Sequence, residues 1–189
     1  PVKFPGFRDA IEDALENGVT PCGVVTGLGT FTGEDNSDAS GGKKSKSKKL
    51  KADYRVGLVI SNVEFQAGSF DMASCEKVCR LLDDCARLKL PVIFFISSAG
   101  MQTKEGGGSL FSMAVINERI TRFVKDLDLP VMCFGFRDCT GGAQASFVTH
   151  LLARTYYFSG AQIPFAGQLV VESHLPAHST LSNYLSNNP

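Results

Sequence analysis

The chain has 189 residues, 43% of them hydrophobic, and balances 19 basic against 19 acidic side chains. That is enough for one sizeable core in a single domain spanning 1–189, with no net field to gather nucleic acid or a membrane surface. Its longest apolar runs, Leu90–Ile96 and Val131–Phe136, fall far short of the ~20 residues a spanning helix needs.

Pro1–Asp9 lacks the charged-then-apolar pattern of a signal peptide, and a start at proline instead of methionine reads as a processed or trimmed product. Phe7–Asn17 places Phe7, Ala10, Ile11, Ala14 and Leu15 on one face and acids on the other, which predicts a short amphipathic helix ended by Gly18. Cys22–Thr32 alternates Val, Thr, Leu and Phe with small residues and reads as a strand. Glu34–Lys51 then changes character: six lysines stand against Glu34, Asp35 and Asp38, a formal +3, with Ala39 and Leu50 the sole apolar residues. Such a segment buries too little to offset its ordering entropy, so it is expected as a solvated excursion between two strands; the other reading is an electrostatic tether to an acidic partner or RNA.

Tyr54–Phe65 is the next predicted strand, and the turn Gln66–Asp71 follows. Met72, Cys75, Val78, Cys79, Leu82, Cys85 and Leu88 recur at helical spacing, a helix with one buried face. Pro91 opens the strand Val92–Ser97, which leads into the glycine-rich Ser98–Gly108; Met113, Ile116, Ile120, Phe123, Val124 and Leu127 mark a second helix. Pro130 opens Val131–Phe136, Arg137–Gly142 turns, Ala143–Leu152 reads as a third helix, and Arg154–Phe158 as a last short strand. Strands apolar on both faces that alternate with helices predict an α/β fold with a mostly parallel sheet and right-handed crossovers.

In such sheets ligands bind beyond the carboxyl ends of the strands. Two glycine turns fall there, Ser97–Met101 and Cys139–Gly142, each leaving a strand and leading to a helix. Glycine lets the backbone approach a ligand closely, and unpaired N–H groups of two neighbouring turns can converge on one oxygen atom, the arrangement of an oxyanion hole. The plainer reading is that each turn closes a tight strand-to-helix connection. The six cysteines, Cys22, Cys75, Cys79, Cys85, Cys133 and Cys139, include no C-x2-C pair. They read as small buried hydrophobes in a reducing compartment, with no structural zinc. His150, His174 and His178 lack a spaced acid or cysteine for a triad, and Ser97, Ser98 and Ser109 lack a nucleophile elbow. Cys139 borders a glycine turn that would lower its pKa, but no base accompanies it. Glu105 and Asp138 read as general acids or bases or, more simply, as turn and cap residues.

Read together, these stretches resemble the carboxyltransferase beta subunit of acetyl-CoA carboxylase, within the crotonase-like superfamily. Ser98–Gly106 with Ser109-Leu110 and Met113-Ala114 is similar to the family's S-G-G-A-R-M-Q-E-G, S-L and M-A. Thr140–Phe147 is similar to T-G-G-V-x-A-S-F, Ile163–Glu172 to I-x-F-A-G-x-R-V-I-E, and Phe65–Asp71 to F-M-G-G-S-M-G. The resemblance spans most of Lys3–Glu172. It implies a crotonase-like ββα-superhelix that moves a carboxyl group from carboxybiotin to acetyl-CoA, giving malonyl-CoA for fatty acid synthesis. No cofactor is implied within this segment: the biotin rides on a biotin carboxyl carrier protein, and a homologous carboxyltransferase alpha subunit completes the site. The implied compartments are the cytoplasm, the plastid stroma or the mitochondrial matrix. Backbone N–H groups of Ala99, Gly100, Gly141 and Gly142 would steady the thioester oxygen, while Gly68, Ser69, Thr140, Phe165, Ala166 and Gly167 would hold coenzyme A or complete the pocket.

Departures are also legible. Ala99-Gly100 replaces a double glycine, Gln102 and Leu169 replace arginines, and Ser173–Pro189 is a short polar tail where the family continues in helical sequence. The family's four-cysteine zinc ribbon precedes the matched region. These departures leave a second reading open: a catalytically weakened paralogue kept as a structural or regulatory subunit. Other acyl-CoA chemistry of the superfamily, decarboxylation or hydration, is a third.

Overall fold

The computed structural model describes residues 6–34, 51–164 and 166. Of the insert expected at Glu34–Lys51, residues 35–50 lie outside that set, as do Phe165, Gly167 and the tail 173–189, while Glu34 and Lys51 themselves belong to strands. Five strands form one sheet in the order β1-β2-β3-β4-β5: β1 Val24–Glu34, β2 Lys51–Ser61, β3 Val92–Ser98, β4 Val131–Cys139 and β5 Arg154–Tyr157. Four helices accompany them: α1 Phe7–Glu16, α2 Met72–Leu88, α3 Gly107–Lys125 and α4 Gly141–Ala143, the last continuing as a π-helical turn over Gln144–Val148. β2 through β5 are parallel, as the alternation of strands and helices predicted.

β1 departs from that pattern and pairs antiparallel with β2 from Val24↔Ser61 to Glu34↔Lys51. Joined through residues 35–50, the two strands meet at one end, so the chain reverses there, whereas every later connection crosses over through a helix.

Asp71 starts α2 by accepting the Ser74 N–H at 2.6 Å on its Oδ1, and Lys89 ends it in the left-handed conformation. Of the stripe the spacing predicted, Cys75, Val78, Cys79, Leu82 and Cys85 are buried and the cysteines are core residues, whereas Met72 and Leu88, at the two ends of the helix, are exposed. A side chain on Gly57 would begin 2.4 Å from Cys85 Sγ, so α2 lies directly on β2. α3 packs beside α2 through Ile116, Ile120 and Phe123, and both helices cover the sheet face that carries Val59, Phe94 and Cys133. On the opposite face the register lines up Val25, Ile60, Phe95, Phe134 and Tyr156, the last three in stacked contact.

Several boundaries differ from the sequence expectation: β1 is shifted to Val24–Glu34, β2 already begins at Lys51, and three further differences lie nearer the glycine turns. β2 stops at Ser61 instead of Phe65, because Asn62 turns the chain: its Oδ1 accepts the Glu64 N–H and its Nδ2 donates to the Thr20 and Cys22 carbonyls. β4 runs on through Arg137–Cys139, which pairs Cys139 with Ser98 across a register shift. The third helix starts two residues early and loses its regular form at Gln144. Ser146 Oγ donates to the Gly142 carbonyl and Thr149 Oγ1 to the Gln144 carbonyl, so side-chain hydroxyls compete for backbone acceptors and the helix ends by Thr149.

Candidate active site

Because β2, β3 and β4 are parallel neighbours, the turns that follow them emerge together at one end of the sheet. The structure joins these three turns by backbone contacts. Phe70 N–H donates to the Gly100 carbonyl at 2.9 Å and Gln102 N–H to the Phe70 carbonyl at 2.8 Å, which locks the first turn to the second. Thr140 N–H donates to the Ser98 carbonyl at 2.9 Å and locks the second to the third. Between the glycine turns the approach is closer still. A side chain on Gly100, whose φ is 108°, would begin 3.2 Å from the Gly142 nitrogen and 3.3 Å from the Gly141 Cα.

This contact brings Ala99, Gly100, Gly141 and Gly142 into one place, but their N–H groups are not equivalent. Ala99 N–H donates to the Ala67 carbonyl at 3.1 Å and Gly100 N–H to Ser98 Oγ at 3.1 Å, so both are engaged within the protein. Gly141 and Gly142 open a helix whose preceding residue, Thr140, supplies no side-chain cap. Among the described residues no hydrogen bond takes their N–H groups. Met101 joins them: its neighbours on both sides bond to Phe70, which turns the Met101 N–H the other way, where no described residue accepts it. The donors open to a ligand are therefore those of Met101, Gly141 and Gly142. Glycine-and-strand pattern found two of these; Met101 emerged from the pairing with Phe70, which the sequence does not announce.

The first turn is held in an uncommon conformation. Gln66, Ala67 and Gly68 all have positive φ, 50°, 50° and 66°. Gly68 has little alternative, since a side chain there would begin 2.3 Å from the Ser97 carbonyl oxygen. Gly68 and Ser69 both donate their N–H groups locally, to the Phe65 and Gln66 carbonyls. Gln102 clamps this turn: its buried amide donates to Gln66 Oε1 and Ser69 Oγ, each at 3.3 Å. Where the resembled motif has a cation, this chain has a neutral side chain turned inward. Thr140 is buried beside Ser98, Ala166 is half-buried, and Phe165 and Gly167 lie outside the described residues.

Glu105 is a cap. Its Oε2 accepts the Met72 N–H at 2.7 Å at the start of α2, next to Asp71. Burial raises its pKa, the Met72 bond lowers it, and the nearby Asp71 charge raises it further, for a net upward shift. Asp138 is exposed. Cys139 corrects an expectation: burial pushes its thiol up to about 11, and Sγ lies 3.2 Å from the Ile96 carbonyl it donates to, so the turn does not activate it. His150 is a satisfied structural histidine, its Nε2 3.1 Å from Thr121 Oγ1 and its Nδ1 accepting the Leu152 N–H. It borders a groove of about 440 Å³ that also touches Asn117, Lys125 and Ser146, on the α3 side of the helix and apart from the donor cluster. The two glycine turns lie side by side as expected, but the grooves found among the described residues are lined by other residues, so contact between the turns is shown and a common pocket is not.

No family model matches the chain. Among curated proteins it is similar to the acetyl-coenzyme A carboxylase carboxyl transferase subunit beta of Carboxydothermus hydrogenoformans, 31% identical over 177 residues. The protein of that name from Alkaliphilus oremlandii is 30% identical over 175 residues. Each match takes in 91% of this chain and 54% of the relative, so the chain spans about half the length of the curated relatives it matches. Among solved structures, a Pseudomonas malonate decarboxylase hetero-tetramer in complex with malonate superposes with a TM-score of 0.59 at 19% identity, over 84% of this chain and 52% of that one. Transcarboxylase 12S with hydrolysed methylmalonyl-coenzyme A bound gives 0.53 at 18% identity, over 69% and 26%. The fold is thus the crotonase-like one that the motifs implied.

Proposed function

We propose that the chain is the acyl-CoA-binding part of a beta-type carboxyltransferase subunit, which takes a carboxyl group from carboxybiotin on a carrier protein and places it on acetyl-CoA. One observation carries this reading: the turns after β3 and β4 lie in backbone contact, and among the described residues nothing takes the N–H groups of Met101, Gly141 and Gly142. An acyl thioester oxygen gathers negative charge as a proton leaves the adjacent carbon, to end on the biotin nitrogen that the carboxyl group vacates, and backbone donors fixed beforehand favour that charged state. One such donor is worth about 3 kcal/mol. No side-chain nucleophile is needed, which agrees with a buried, high-pKa Cys139 and a capping Glu105. Similarity to beta subunits over 91% of the chain supports acetyl-CoA as the acceptor. Solved relatives described as hetero-tetramer and hetero-dimer support a homologous alpha-type partner.

A second reading, a weakened paralogue that acts as scaffold, draws on Gln102, whose neutral amide is occupied with Gln66 and Ser69. Mixing the full chain with an alpha-type partner and a carboxylated biotin carrier separates the two. Malonyl-CoA forming from acetyl-CoA supports the enzyme; acetyl-CoA bound without product supports the scaffold.

A further inference from the structure

Met101 carries one of the three open donors and also fills the space beside another. Its Cγ lies 2.6 Å, and Met113 Sδ 3.2 Å, from the point where a Gly142 side chain would begin. The hollow that glycine leaves on that side is therefore occupied by two thioethers. The resembled motif has alanine where Met101 stands, so this bulk belongs to the present chain. Both methionines are half-buried, and the Met101 backbone is fixed on each side by Phe70. An oxygen held by the Met101 and Gly142 N–H groups puts its acyl carbon within a few ångströms of the Met101 side chain, because donor and side chain leave the same residue.

We propose that Met101, backed by Met113, sets the size limit of the acyl group, admitting two carbons and turning away longer chains. The proposal rests on the acyl-CoA reading above. A close apolar wall discriminates about 10- to 200-fold per methylene. Methionine lacks branches and can swing, which places this wall toward the lower end of that range.

The test is calorimetric titration of the full chain with acetyl-CoA and with butyryl-CoA. The wild type is expected to bind acetyl-CoA at least about tenfold tighter. Met101→Ala should bring the two affinities at least about tenfold closer, Met113→Ala should move them less, and Met101→Leu, of similar volume, should retain the discrimination. Should Met101→Ala not fold by circular dichroism, Met101→Val is read in the same way. A wild-type preference that survives truncation of Met101, with acetyl-CoA still bound, overturns the size-limit proposal and leaves the acyl-CoA reading standing. No binding of either thioester by the wild type or any variant removes both.

Discussion

Gly100 and Gly142 stand so close that one methyl group on the first would sit 3.2 Å from the backbone nitrogen of the second. That nitrogen carries one of the open donors, so the contact that joins the turns also limits what either may carry. Gly100→Ala adds the methyl at a φ of 108°, a conformation that L-residues rarely adopt. The variant should lose at least about 1 kcal/mol of stability, read from the urea midpoint, and weaken acetyl-CoA binding further than the lost stability explains.

Ala67 sits at φ 50° and ψ 37°, where a Cβ costs roughly 1 kcal/mol and glycine has no such penalty. Ala67→Gly should leave stability unchanged or raise it by up to about 1 kcal/mol, since glycine's greater unfolded-state freedom offsets part of the relief. Gly68→Ala, one residue on, should be strongly destabilising, because the added methyl meets the Ser97 carbonyl at 2.3 Å. Chemical denaturation of the pair, side by side, checks the sign of each.

The cysteines give an independent check on burial. Cys75, Cys79, Cys85, Cys133 and Cys139 are buried, and burial pushes Cys75 and Cys133 up to about 12 and Cys85 and Cys139 up to about 11. Cys22 is half-buried. Thiol labelling of the native chain near pH 8 should modify Cys22 first and leave the other five slow until denaturant is added. Fast labelling of Cys139 in the native state would contradict its placement under the glycine turn.

Glu105 makes stability depend on pH in a defined direction. Its folded pKa is raised, so the folded chain holds that proton more firmly than the unfolded one. The group therefore favours folding most below its ordinary 4.5, and that advantage is lost as pH rises through the folded pKa. Relative to Glu105→Gln, which cannot titrate, the wild-type urea midpoint should fall across this acidic window. A wild type that gains on the variant as pH rises would contradict the burial of the carboxylate.

Much of this site is local in origin and so was legible in the sequence. An apolar strand, a glycine turn and a helix start are short-range patterns, and parallel crossovers of ordinary length set Ala99-Gly100 beside Gly141-Gly142. What the sequence concealed depends on partners distant along the chain. Ala99 N–H is engaged because Ala67 presents its carbonyl, and Ala67 does so because Gln102 clamps the preceding turn. Met101 becomes a donor only through its pairing with Phe70. The antiparallel β1 was missed because strand composition says nothing of direction. The π-helical turn was missed because Ser146 and Thr149 act against the helical period only once their hydroxyls find carbonyls.

The account stands on three backbone donors serving one acyl oxygen, and acetyl-CoA titration of the full chain, wild type beside Gly142→Val, tests it most directly. A valine there collides with Met101 and Met113 and closes the approach to the donors. The wild type should bind and the variant should not, with unchanged circular dichroism. Equal binding by both, or none by a folded wild type, would contradict the account.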